Sequence, residues 1–198
     1  IVGFKKGFFI ASPDGRFKLV LGGRIQFRFE YENQDGDPRT HVAAMHLPRM
    51  RFKMNGHLFD ERIEYSVQID FAKGQVSLKD AYIDLVASPW ATVRLGQYKT
   101  PYSRQFIASS TKQHFVDRAI THKAFATDRD VGISVMCDAK ELPLEYAVGL
   151  FNGTGDAGVW SGSVLVDPTT GAGDLLDAKV SNVPDLPNPL LVARVGMH

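Results

Sequence analysis

From Arg24 to Tyr31 apolar and polar residues alternate, with Ile25, Phe27, Phe29 and Tyr31 on one side and Arg24, Gln26, Arg28 and Glu30 on the other. A period of two is the signature of a β-strand with two unlike faces. The pattern returns from Arg49 to Leu58, where Met50, Phe52, Met54 and Leu58 oppose Arg49, Arg51, Lys53, Asn55 and His57. It returns again where Ile63, Tyr65, Val67, Ile69 and Phe71 oppose Arg62, Glu64, Ser66, Gln68 and Asp70. Phe59, Asp60 and Glu61 between these two runs predict a tight hairpin. Further strands are predicted around Asp80–Leu85, Thr92–Tyr98, Val131–Val135, Leu144–Leu150 and Leu190–Met197, giving eight in all. The turns near Asp60, Pro89 and Glu141 are short, while residues 33–47, 99–129 and 152–188 read as longer connections. Short turns on one rim and long loops on the other are the habit of an outer-membrane barrel, although a soluble sandwich can mix loop lengths too.

Alternation alone does not say which face is the core. A soluble antiparallel sheet turns its polar face to water, whereas a membrane barrel turns its apolar face to lipid and lines its lumen with the polar one. The bulky, aromatic apolar faces and the close ionised groups on the polar faces favour the barrel, with Trp90, Tyr31 and Tyr98 as candidate interfacial aromatics. No segment reaches the roughly 18 uninterrupted apolar residues of a membrane helix. The first residues, Ile1 to Phe9, carry no signal peptide pattern, so an exported chain would be seen here in mature or trimmed form.

Composition (44% hydrophobic, 23% charged) is that of a folded domain, and a formal charge of +1 argues against a surface built to coat nucleic acid. The neutral total hides a local excess. Between residues 94 and 129, Arg94, Lys99, Arg104, Lys112, Arg118, Lys123 and Arg129 face only Asp117 and Asp128. The lone Cys137 and six scattered histidines offer no metal-ligand spacing. There is no GxSxG, and GTGDAG at 153–158 lacks the Lys-Ser/Thr ending of a phosphate loop. We therefore expect neither an enzyme nor a cofactor or metal.

Five segments, GGRIQFRFEYE (22–32), LPRMRFKMNGHLFDERIEYSVQIDFA (47–72), LKDAYIDLVASPWATVRLGQYKTPYS (78–103), SSTKQHFVDRAITHKAFATDRDVGISV (109–135) and EYAVGLFNGTG (145–155), together resemble the phosphate-selective porin O and P family. The resemblance implies an all-β antiparallel transmembrane β-barrel of sixteen strands, in the outer membrane of a Gram-negative-type cell and usually a homotrimer. It further implies a passive channel for phosphate, polyphosphate or similar small anions. At roughly 25 residues per strand and connection, sixteen strands need about 400 residues. We therefore expect residues 1–198 to be the N-terminal part of one barrel domain, supplying about eight strands. A closed barrel of eight has an interior filled by its own side chains and no room for an inward loop.

The resemblance places the loop of about 99–129 inside the lumen, Ser109 and Ser110 at a serine pair on it, and Arg24 and Arg49 at basic lumen positions on the first two strands. Parity agrees, since both arginines lie on polar faces. Arg51, Lys79, Lys99, Arg104 and Lys112 are further cations available to such a constriction. Asp80, Asp84, Glu64 and Asp70 would line the opposite wall or serve as cross-strand partners of the basic residues. Three positions depart from the family. Pro48 stands where the first of two adjacent arginines is expected, Phe106 where a loop lysine precedes the serines, and Lys79 where an acid precedes the DAY-like segment. A general non-specific porin and a soluble all-β anion-binding module remain as alternatives on these residues.

Overall fold

The computed structural model describes residues 1–4, 7–35, 40–74, 76–109, 111–114, 118–119, 128–137, 144–153, 161–166, 173–179 and 189–197. All its strands belong to one antiparallel sheet: β1 (Val2–Phe4), β2 (Phe8–Ala11), β3 (Lys18–Gln34), β4 (Thr40–Leu58), β5 (Asp60–Asp70), β6 (Val76–Ser88), β7 (Ala91–Lys99), β8 (Arg129–Cys137), β9 (Leu144–Phe151), β10 (Ser161–Val166), β11 (Gly173–Lys179) and β12 (Leu190–Met197). Strands β1 to β9 pair in chain order and β12 closes onto β9, so β1 and β12 are the two edges of an open sheet. The β10–β11 hairpin leaves this path, and Ser161 and Gly162 pair with Ser77 and Val76 at the start of β6.

The eight strands expected from alternation are present, and two long connections are more structured than their residues predict. The stretch 33–47 is mostly strand, because β3 runs to Gln34 and β4 starts at Thr40. A register shift between Gln26 and Arg28 sets Leu47 and Pro48 together across from Phe27. This bulge absorbs Pro48, which has no N–H to give to a ladder. The stretch 152–188 contains the β10–β11 hairpin. The turn at Asp60 is as tight as predicted, and Phe59 takes a φ of 62°. The turn expected around Lys140–Pro143 lies outside the described residues.

Exposure settles the question of faces. Ile25, Phe27, Phe29, Met45, Ile133, Val148 and Val195 are all exposed, whereas Ser66, Asp70, Asp84 and Ser134 are buried on the other face. Along β8, Ile133 is 44% exposed while its neighbour Ser134 is 1% exposed. A soluble sheet has the reverse polarity; an apolar face turned outward is consistent with a porin β-barrel, in which that face meets hydrocarbon. Among the described residues, no helix is long and apolar enough to cross a membrane.

The inner face has a small apolar core of its own. Tyr98, Phe151 and Val192 are buried together, with Tyr82, Met136 and Leu190 against them. Tyr98 is therefore not an interfacial aromatic. Its ring meets Phe151 edge to face at 5.4 Å between centroids and its hydroxyl donates to Ser134 Oγ at 2.7 Å. Trp90 and Tyr31 are exposed, as girdle residues would be.

Placing a charge on the outer face should be costly in the middle of a strand. Ile133→Arg is expected to lower folding stability in lipid vesicles by about 2 to 4 kcal/mol. A urea titration of the reconstituted protein against wild type checks this; an unchanged midpoint would contradict the assignment of the apolar face to lipid.

Candidate functional site

The concave face of the sheet and the inward part of the β7–β8 connection border a half-open cavity of ≈ 1010 Å³. Strand β7 sends the chain there. Gly96 has a φ of +127°, and a Cβ on it would meet the Ala81 carbonyl oxygen at 2.2 Å. Only glycine fits this conformation and this approach. Just beyond it the β6–β7 ladder ends at the Ala81–Gln97 pair. The Gln97 side chain replaces the missing rungs, Nε2 donating to the carbonyls of Leu78 at 2.6 Å and Lys79 at 3.1 Å. Thr100 N and Oγ1 both donate to the Asp128 carbonyl, at 3.2 and 3.0 Å, and so tie the two ends of the connection together. A single helical turn, α1 (Arg104–Ile107), follows, and Arg104, Ile107, Ser109 and Lys112 line the cavity opposite the sheet.

The wall facing this loop comes from β3 and β4. Arg24 stands directly across from Arg51, and Gln26 across from Arg49. Like charges directly opposite repel each other, so this pairing costs stability unless something offsets it. The offset for Arg51 is Asp70, whose Oδ2 accepts from Nε at 2.8 Å, with Gln68 Oε1 at 3.4 Å from Nη1. Arg49 donates from Nη1 to Gln26 Oε1 at 2.7 Å. Arg24 lies in the field of Arg51 and Arg49, countered by Asp70.

Most acids of the inner face, though not Glu64, are paired among the described residues. Asp84 accepts both Nε and Nη2 of Arg94 at 2.6 Å, and that guanidinium lies 3.9 Å above the Tyr82 ring. Asp80 accepts Arg129 Nε at 2.9 Å, Glu145 pairs with Arg194, and Glu30 pairs with Arg28 at 2.9 Å and His46 at 3.6 Å. Of the two readings open for these acids, Asp70 and Asp84 pair with the adjacent strand, while Asp80 both lines the cavity and pairs with Arg129 two strands away. Among the described residues, no hydrogen bond or ion pair engages the head groups of Arg24, Lys53, Arg104 or Lys112, all four of which line the cavity. A surplus of unneutralised cations around a polar concavity attracts anions and raises their local concentration. The loop cation Arg118 belongs to the same field: burial, then the charges of Arg49, Arg129 and Arg51, pull its pKa below the ordinary guanidinium value.

The residues singled out from sequence fall into three groups. Arg24, Arg51, Lys99, Arg104, Ser109 and Lys112 line the one cavity. Arg49 stands beside it, bonded to Gln26, and Lys79 is the extra residue of a bulge in β6, outside the lining. Ser110 lies outside the described residues. Beside Ser109 there is a second hydroxyl, Thr111, with its Oγ1 2.8 Å from the Ser109 Oγ. Lys53 and Arg194 also line the cavity and were not singled out; Lys53 had the right parity on β4, while Arg194 sits on the distant β12. A smaller cavity of ≈ 260 Å³ continues toward the short-turn rim, sharing Lys53 and Asn55 with the first and adding Lys18, His57 and Glu64.

A family model described as phosphate-selective porin O and P matches residues 19–193, which takes in β3 to β11 and the start of β12. No curated protein matches the chain.

The inner-face pairs should differ sharply from rim pairs in their effect on stability. Side-chain exposure is 8% for Asp84 and 23% for Arg94, so Asp84→Ala would strand a guanidinium over Tyr82, at a cost of about 3 kcal/mol. Asp60 and Arg62 are exposed at 44% and 73%, and Asp60→Ala should unfold where wild type does. Urea unfolding midpoints of the two variants in the same vesicles test the contrast, and equal shifts would refute it.

Proposed function

The chain belongs to the phosphate-selective porin O and P family, and from that premise we propose that it forms a passive, anion-selective channel in the outer membrane of a Gram-negative-type cell. Phosphate, polyphosphate or similar small anions are its cargo. The observation that carries this reading is the uneven neutralisation of the inner face. Asp70, Asp84 and Asp80 are paired with Arg51, Arg94 and Arg129, while among the described residues Arg24, Lys53, Arg104 and Lys112 hold no acid. An anion entering between loop and wall meets Arg24 and Arg51 on one side and Arg104, Lys112 and the Ser109 and Thr111 hydroxyls on the other. Charged and neutral donors together replace part of a hydration shell, and because the cations stand on several elements the ion moves between weak contacts rather than settling at one. No bond is made or broken.

The open edges at β1 and β12 belong to this reading. Unpaired strand edges are not tolerated in hydrocarbon, and we infer that both edges are paired in the membrane in a barrel of the family's sixteen-stranded, homotrimeric type.

A second reading, a general porin that prefers anions without selecting phosphate, is favoured by one observation. Phe106 is buried against the wall and the Lys99 ammonium is held by loop carbonyls, so neither position presents a free cation at the loop tip.

Single-channel currents of the intact protein in chloride, titrated with phosphate, separate these readings. Block at low phosphate, with the half-blocking concentration raised about tenfold by Arg24→Ala or Ser109→Ala, is the expected result. Anion-leaning current indifferent to phosphate would establish the general porin, and no current at all would overturn the channel.

A further inference from the structure

Lys99 is the last residue of β7, and its side chain does not reach for the lumen's other charges. Nζ donates to the carbonyls of Phe106 at 2.6 Å, Ile107 at 3.2 Å and Ala108 at 3.4 Å. These carbonyls lie at the C-terminal end of α1, where a helix has no internal donors to satisfy them and where a positive charge is most favourable. A helix of one turn has no stability of its own, so its position depends on what holds it. The second holding point is Phe106, only 3% exposed in a chain whose large apolar residues mostly face outward. Around its ring stand Lys99 Nζ at 5.1 Å, the Arg118 guanidinium at 5.1 Å and the Arg129 guanidinium at 5.6 Å. Arg129 is itself fixed to Asp80 on β6.

We propose that Lys99 and Phe106 form a latch that fixes the inward loop to the wall, and that Lys99 sets the aperture as a positioning residue rather than as a contact for the permeating ion. Three strands converge on one short segment: β7 through the Lys99 ammonium, β8 through Arg129, and β6 through Asp80 behind it. The latch decides where the rest of the segment stands. With Phe106 turned into the wall, Arg104, Ser109 and Lys112 are left on the cavity side, across from Arg24 and Arg51. The aromatic residue in place of a loop lysine thus gathers cations from the wall instead of adding one from the loop. The consequence for conduction rests on the channel reading above; the latch itself does not.

The test combines a structural and an electrical readout on folded protein in detergent and in bilayers. Trypsin cleavage after Arg104 and Lys112, followed by mass spectrometry, reports release of the loop. Lys99→Met and Phe106→Leu are expected to speed cleavage at these two bonds about tenfold, the loss expected when contacts of a charged donor or a cation cage are removed. Lys99→Arg, which keeps charge and donors, should restore protection. Phe106→Leu leaves the lumen charge untouched, so its open-channel current should become noisier while the reversal potential in a salt gradient stays in place. Wild-type protection of the loop in Phe106→Leu would overturn the latch, and this variant decides alone if Lys99→Met does not fold. Full protection in Lys99→Met with a reversal potential shifted toward cations would also overturn it, making Lys99 an ion contact. A wild-type protein that passes no current would sink the channel reading, and the cleavage rates would still decide the latch.

Discussion

Ion pairing between neighbouring strands on the inner face is the interaction on which the rest of the structure depends. Turning the apolar face outward places the charged residues of opposite parity on the concave side, where a charge that is buried is expensive to leave uncompensated. Asp70 with Arg51 and Asp84 with Arg94 meet that cost as rungs between adjacent strands, and Asp80 of β6 reaches past β7 to Arg129 of β8. These pairs also bind the strands to each other, since removing either member leaves a buried charge behind. Because the acids sit mainly on β5 and β6 while cations are spread over β3, β4 and the β7–β8 loop, neutralisation runs out on one side of the cavity. The positive field there is the remainder of a structural requirement, not a separate addition to it.

The same inner face carries the defect through which the loop enters. Gly96 allows β7 to press against Ala81 and then part from β6, and Gln97 and Thr100 satisfy the backbone groups that parting would otherwise orphan. A buried aromatic cluster around Tyr98 stiffens the sheet on the far side of the gap. Loop entry, loop anchoring and the loss of a few ladder rungs are thus one local event spread over residues 96–108, most of them within the run from Gly96 to Ser103 whose likeness to the family is strong.

Much of this was legible in the residues, and what was not has physical causes. Strict alternation located the eight strands and assigned Arg24, Arg49, Arg51 and Lys53 to one side, because side-chain direction in a strand is a matter of parity. It failed at 33–47, where Ala43, Ala44 and Pro48 blur the contrast between faces and a bulge changes the parity partway along β4. Tyr98 looked like an interfacial aromatic because its place at a strand end was visible and its inward direction beside the unusual backbone of Gly96 was not. Lys99 read as a lumen cation, since composition counts charges but cannot say that a long side chain will turn back onto carbonyls seven to nine residues ahead. The partners of Asp80 and Asp84 needed three-dimensional register, which the turn lengths alone did not fix.

The bulge at Leu47 and Pro48 also separates two parts of the β3–β4 hairpin. Below it, β4 is held by β5 from Arg51 to Leu58; above it, the two strands run on for roughly 24 Å with only each other among the described pairings. In a regular ladder, one inserted or deleted residue would reverse every side chain beyond it and turn the wall inside out. A bulge already contains the odd residue, so changes in the arm beyond it can be taken up there. The arm is therefore the part of the molecule free to lengthen, shorten or change its surface, while the wall that carries the inner charges keeps its register.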